Sequence, residues 1–504
     1  MAFVRMEPHR RTAVAPGREA ARKQRLGRWL QRALIVLGVT LIAGEASSEE
    51  QKNDRMLLHD ANGLVIRAHF QAGINGVVER NLFWDLASTF APTSGYDSDA
   101  NWLEFYVKPG LSFDYSLANG GTFYGKLTGV GSYTSGTDAY AEGNTGRITL
   151  EEGYLGYKTA DLGGVRLDMS VGPRELKLGT GMLVANGASS GFERGALKLG
   201  PRKAWEMSAI GRIYSGGATG TVFYIDPNEL PSSDNGNRLA GGDIRYDSSS
   251  GGYIGLTYLN VLESRTPYPQ AAPGGIGPPS IIANGRDGTN AINFYARTNP
   301  FEGMYGNLFV NADFAYEWND RIDLSAWAGR VQVGYAFNDL PWSPTLTYSY
   351  QTFSGDDPNT SRLERFDPLY YEGSPSAWAT GSKSSMVFLN SNVQSHNIAL
   401  RLQPTRRDSV TFRYAHIRAN ELNSPIQFGQ GTRPGSIGGS STVISGVTDA
   451  HLSDDFFLEY SRVINPNTYL TAGVSVAFPG AGIRNLPGHQ PYWTGGFLNV
   501  VVNY

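Results

Sequence analysis

The chain has 504 residues, enough for two or three soluble domains or for one large closed barrel. Aromatic residues make up 12% of it, glycines number 62 and cysteine is absent. The missing thiols exclude a disulfide scaffold, a Cys-ligated metal centre and a cysteine nucleophile. The formal net charge is −3, and it becomes about −9 once the basic leader, residues 1–46, is removed, which makes the exported chain a poor candidate for nucleic-acid binding.

The first apolar run, Ala33–Ala43, is too short for a transmembrane helix, which needs roughly 20 residues. Nine basic residues precede it, among them Arg28 and Arg32, and the small-residue stretch Gly44–Ser47 follows. That order of basic, apolar and small segments is a secretory signal, here read as residues 1–46 with cleavage after Ala46. Its removal takes away nine cations and three anions and leaves a net charge of about −9. Residues 47–63 are expected as a periplasmic N-terminal segment and 64–504 as the body of the protein.

Beyond residue 46 no helical period is sustained. Runs of alternating apolar and polar residues recur instead, separated by Gly, Asp, Asn, Ser and Pro, and this is the strand signal. Leu103–Phe113, Val165–Val171, Leu308–Trp318, Trp327–Phe337, Leu346–Tyr350 and Ile398–Leu402 are the clearest. Eighteen runs centre near residues 68, 108, 127, 153, 169, 209, 222, 243, 257, 294, 313, 331, 348, 399, 413, 458, 473 and 498. Their connections alternate short and long, and only the one near Asn319–Asp323 is short where a long one is due. Tight turns on one rim and long loops on the other predict an all-β fold. The predicted architecture is a single transmembrane up-and-down antiparallel β-barrel of about 18 strands. Tyr316, Trp318, Tyr335 and Phe337 suit aromatic girdles. The last run places Leu498, Val500, Val502 and Tyr504 on one face, the pattern read by barrel-insertion machinery.

With the apolar row of each strand facing lipid, the opposite row faces a lumen wide enough for water. Its cations are Arg67, Lys108, Lys126, Arg166, Arg174, Arg212, Arg245, Arg297, Arg330, Arg401 and Arg413. Its acids are Glu104, Asp114, Asp168, Glu206, Asp243, Asp313, Glu317, Asp455 and Glu459. Arginine forks suit carboxylates, so this set reads as a path for anions or acidic sugars. The same side chains also fit ladders within the wall, as Arg166/Asp168 and Asp243/Arg245 do by spacing.

Loop 180–203 carries Arg194, Lys198, Arg202 and Lys203 against Glu193. Loop 354–392 holds Asp356, Asp357, Phe366–Tyr371 and Trp378, and either folds inward to narrow the pore or stays on the surface. Asp356 and Asp357 alone lack the ligand set of a divalent ion. The seven histidines are scattered, with no HExxH, no GxSxG and no ligand cluster, so neither an enzyme, a metal nor a cofactor is expected.

Three segments resemble the alginate-export family of proteobacterial outer-membrane barrels: Leu167–Gly181, Tyr350–Asp357 with Phe366–Tyr370, and Asn81–Leu86. The likeness runs over most of the mature chain. It implies an 18-stranded monomeric barrel, an Arg-rich constriction, gating loops and an anionic uronate polymer as substrate. Arg174 is the residue most directly carried over. The expected function is an outer-membrane channel for polar, anionic, carbohydrate-like solutes in a Gram-negative cell, working by electrostatically selective diffusion. Its partners are outer-membrane lipid, an oligosaccharide or small solute, and the barrel-assembly machinery. An uptake porin for small organic acids or aromatic compounds is the alternative, and a plugged structural barrel the third.

Overall fold

Alternation with period two puts successive side chains on opposite sheet faces, so a strand with one greasy row can sit between lipid and water. In the computed structural model, residues 56–504 are described, apart from 91, 93–94, 141, 300–306, 374–377, 382–387 and 427–445. The signal segment expected at 1–46 lies outside the described residues. The first strands are β1 (Leu64–Arg80), β2 (Asn101–Ser116), β3 (Thr122–Thr137), β4 (Gly143–Lys158), β5 (Val165–Val171) and β6 (Met207–Ser215). They continue as β7 (Ala218–Asp226), β8 (Arg238–Asp247), β9 (Tyr253–Glu263), β10 (Asn290–Thr298), β11 (Leu308–Asn319) and β12 (Leu324–Ala336). The set ends with β13 (Thr345–Phe353), β14 (Val393–Thr405), β15 (Asp408–Ala419), β16 (His451–Asn465), β17 (Thr468–Pro479) and β18 (Trp493–Asn503).

Each strand pairs antiparallel with the next, and β18 returns to β1 from Gln71↔Asn503 to Arg80↔Thr494. The sheet is a closed barrel of 18 strands, and each predicted run centre falls inside one of them. Closure removes the free edges that a bilayer cannot hydrate. A short extra strand, Leu57–Ala61, pairs with the start of β1 in the register Ala61↔Leu64. It covers the stretch of β1 that lies beyond its pairing with β18.

The outer face is apolar: Ile148, Leu155, Val222, Ile244, Phe314, Val331, Ile398 and Val474 are all exposed. A surface of this kind is stable only against lipid. Aromatic pairs mark both rims, Tyr316 stacked on Trp318 towards the loop rim and Tyr335 against Phe337 at the turn rim. On the lumenal face, glycines serve as seats for rings on the neighbouring strand. Gly156 lies opposite Tyr124 and Gly255 opposite Tyr295, where a Cβ would come within 2.3 and 2.2 Å of the ring. Such cross-strand aromatic cover restores packing that glycine itself cannot supply.

The lumen towards the loop rim is less wet than the sequence pattern implies. Trp84, Trp102, Trp205, Trp378 and Trp493 are buried there with Phe353, Phe366 and Phe388. Wall side chains cannot fill an 18-stranded bore, so the long loops turn inward and build a second apolar core. Trp84 packs on Trp493 and Phe388, and Trp205 on Tyr370. The Asn81–Leu86 segment makes this possible through left-handed backbone at Asn81, Phe83, Trp84 and Asp85. Aromatic residues rarely adopt it; here the burial of Phe83 and Trp84, with Trp84 Nε1 donating to Ala477 O at 3.1 Å, holds it in place.

Candidate functional site: the lumenal arginine path

The lumenal cations divide into two groups. In the first, a carboxylate stands within reach: Arg67 with Asp114 (3.8 Å), Lys108 with Glu151 and Glu175, Lys126 with Glu152 (2.6 Å). Arg245 pairs through two nitrogens with Asp247, its neighbour two along the strand, and not with Asp243. Asp243 accepts instead from Thr257 and from Tyr295 Oη at 2.9 Å. Arg330 reaches Asp313 at 3.3 Å while its guanidinium lies 3.6 Å from the centre of the Trp378 ring.

In the second group, Arg166, Arg174, Arg212, Arg297, Arg401 and Arg413 have no carboxylate within ion-pair distance among the described residues. The spacing-based pair Arg166/Asp168 does not form: Asp168 accepts from Tyr124 Oη, and Arg166 lies over the Tyr214 ring. Arg174 follows β5 and is held by polar and aromatic groups alone. Its Nη1 donates to Tyr124 Oη (3.0 Å) and Ser170 Oγ (2.5 Å), and its Cζ sits 4.5 Å from the Tyr154 ring centre. Arg297 and Arg413 lie over Phe309 and Phe457. Arg401 faces Thr345 and Thr411 across the sheet, so no acid opposes it on either side. Arg297 and Arg401 are exposed to the lumen. Aromatic faces hold a guanidinium without cancelling its charge.

Four carboxylates of the wall hold the inward loops. Glu104 accepts from the backbone N–H groups of Lys198 and Leu199, and Glu151 from those of Lys203 and Ala204. Glu317 takes the N–H of Asp367 at 2.8 Å, and Asp313 the hydroxyl of Thr180. Wall carboxylates thus anchor the ends and tips of the inward loops. The second group of arginines makes no ion pair among the described residues, although Arg212 stands opposite Asp168 across the sheet.

The loop residues singled out in the sequence make structural contacts. Arg194 is buried and donates to Ser189 O, Asn228 O, Asn228 Oδ1 and Glu229 O. Arg202 likewise donates to Thr149, Ser132 and Arg147 O. Burial pushes the Lys198 ammonium down to about 8, beside the Phe497 ring. Asp356 is buried and accepts from the N–H groups of Ala271 and Glu364, whereas Asp357 caps Asn359.

Loop 354–392 folds inward. Thr380 Oγ1 receives Gln351 Nε2 from the wall at 2.7 Å, and Trp378 Nε1 donates to Thr180 O of the other inward loop. Lys177 and Glu372 join the same two loops. Arg286 grips Asp367 through two nitrogens; burial alone would raise that carboxyl, but the guanidinium holds it below the usual range.

Asp138, at the loop end of β3, is buried with Oδ2 lacking a hydrogen-bond partner. Burial raises its carboxyl from 3.8 to about 7. The folded value exceeds the unfolded one, so this group's stabilisation is complete in acid and drains away as pH climbs from about 4 through about 7. We expect the melting temperature of the folded barrel to fall across that window, and Asp138→Asn to flatten the slope. A wild-type slope retained in the variant would reject the assignment.

A closed barrel with an apolar outer belt and a charged bore is a transmembrane β-barrel of the outer-membrane channel class. Residues 285–492 match the model of the alginate export family. The span runs from just before β10 to the last loop and includes the Tyr350–Asp357 and Phe366–Tyr370 segments. It is narrower than the likeness over most of the mature chain expected from sequence: Leu167–Gly181, with Arg174, and Asn81–Leu86 lie outside it. No curated protein matches the chain. Among solved structures it is similar to Salmonella typhi OmpF in complex with daunomycin, at 11% identity over 89% of this chain and 100% of that one, with a TM-score of 0.42. It is also similar to Pseudomonas aeruginosa OccK5 (OpdH), at 9% identity over 87% and 98%, with a TM-score of 0.48.

Proposed function

We propose that this outer-membrane channel passes polar, anionic, carbohydrate-like solutes by electrostatically selective diffusion, with acidic polysaccharide of the uronate kind as its class of cargo. The observation that carries the reading is the division of labour in the bore. Glu104, Glu151, Asp313 and Glu317 anchor the inward loops, while Arg174, Arg212, Arg297, Arg401 and Arg413 make no ion pair among the described residues. A fork-shaped donor held on an aromatic face recognises carboxylates on a moving chain by paired hydrogen bonds. The match to the alginate export family supports the cargo class. The process needs no catalytic step and no cofactor.

Planar-bilayer recording with oligouronates tests it. Short oligouronates should interrupt the current of the wild-type channel at concentrations where neutral oligosaccharides of equal length do not. Equal block by both, or a barrel that carries no current, would overturn the proposal.

A further inference from the structure

One cluster on the outer wall has no part in the bore. His416 on β15 and Asp454 on β16 are directly opposite each other, and both lie on the lipid-facing row with Phe412 and Phe456. His416 Nδ1 is 2.8 Å from Asp454 Oδ1, which also accepts from Tyr414 Oη at 2.7 Å. His451 is three residues before Asp454, a spacing that puts two side chains on opposite faces of a regular strand. Here a β-bulge between the pairs Ile417↔Ser453 and Arg418↔His451 inserts an extra residue. The bulge swings His451 onto the outer face, where its Nε2 comes 2.9 Å from Asp454 Oδ2. The sequence pattern, which shows the histidines as scattered, misses this because it assumes unbroken alternation.

The His451 Nε2 atom is buried yet makes no hydrogen bond, despite its closeness to the carboxylate. The two imidazole rings face each other with centroids 4.7 Å apart. One donor atom from each of His416, His451 and Asp454 lies within 4.8 Å of the other two. A tetrahedral ion with bonds of about 2.0 Å needs donors about 3.3 Å apart, a small adjustment from these positions. A hydrogen bond accounts for His416 and Asp454, but not for the bulge that brings a second imidazole nitrogen to the same carboxylate without hydrogen-bond geometry.

We infer that His416, His451 and Asp454 form a binding site for a divalent transition-metal ion of the zinc type, on the outer wall at the loop rim. Two imidazole nitrogens favour zinc, nickel or copper over magnesium and calcium, which prefer all-oxygen shells. Three protein ligands leave a fourth position for water. Tyr414 orients the carboxylate from behind, as outer-shell donors do. The ion would tie β15 to β16 at the base of the connection between them.

The test uses the folded barrel in detergent, stripped with a chelator and titrated with ZnCl2 or MgCl2 by calorimetry. One saturable equivalent of Zn2+ is expected, unaffected by excess Mg2+, and Co2+ loading should give tetrahedral visible bands. His451→Ala and Asp454→Asn should each abolish the equivalent and the bands, while His396→Ala on the neighbouring strand keeps both. Heat-modifiable migration in gels verifies that each variant is folded, and His451→Gln replaces His451→Ala if the latter is not. Absence of saturable Zn2+ binding in the wild type, or the same binding in His451 and Asp454 variants, would overturn the site.

Discussion

On the proposed function, replacing Arg401 and Arg413 together with Glu is expected to shift the channel's preference from anions to cations. The two residues are diagonal neighbours on β14 and β15, since Arg401 pairs with Thr411 and Arg413 with Ala399. A unit charge about 7 Å from a passing ion acts on it with about 0.6 kcal/mol even at the dielectric constant of water. Reversing that charge changes an anion's free energy there by about 1.2 kcal/mol, roughly sevenfold in local concentration for each residue. The measurement is the reversal potential in a salt gradient, taken at low ionic strength where screening is weakest. Each single variant should move the potential part of the way. An unchanged reversal potential in the double variant would remove these arginines from the path.

The second large effect concerns Trp378. Its ring covers Arg330, its Nε1 holds Thr180 O at 3.0 Å, and it packs edge-on against Phe353. Truncating a buried Trp to Ala costs about 3–5 kcal/mol in a well-packed site. That loss falls on the seat of loop 354–392, because the strands keep their own hydrogen-bonded ladder. Trp378→Ala should therefore leave a folded, heat-modifiable barrel whose single-channel conductance is larger and noisier than the wild type's. Trp378→Phe should retain much of the wild-type behaviour, since a smaller ring still covers Arg330 and fills part of the space. Wild-type conductance in Trp378→Ala would show that this contact does not narrow the bore. Arg330 itself is a poor site for testing selectivity, because Asp313 and Trp378 make it a joint between wall and loop.

The barrel was legible in the sequence because its signals are local. Two-residue alternation in runs such as Val165–Val171 and Trp327–Phe337 names a strand and its lipid face at once, without knowledge of any partner. Loop lengths that differ by parity then leave little choice but an up-and-down cylinder. The lumenal row could be listed for the same reason, and Arg401 and Arg297 stand where alternation places them.

What alternation cannot carry is the identity of each residue's neighbour. Arg330 and Arg401 look alike along the chain, yet one meets Asp313 across the sheet and a tryptophan from a loop, while the other meets two threonines. Glu104 reads as a pore charge until the returning loop lays its amides on it. His416 and His451 come together only because β15 and β16 pair and a bulge breaks the two-residue rhythm. The composition and its periodicity determined the strands, their number and which face is greasy, since those depend on neighbours two residues apart. Register, bulges and the inward packing of loops decided which charges remain free, since Coulombic and hydrogen-bonding partners lie tens to hundreds of residues away and are chosen only when the chain closes.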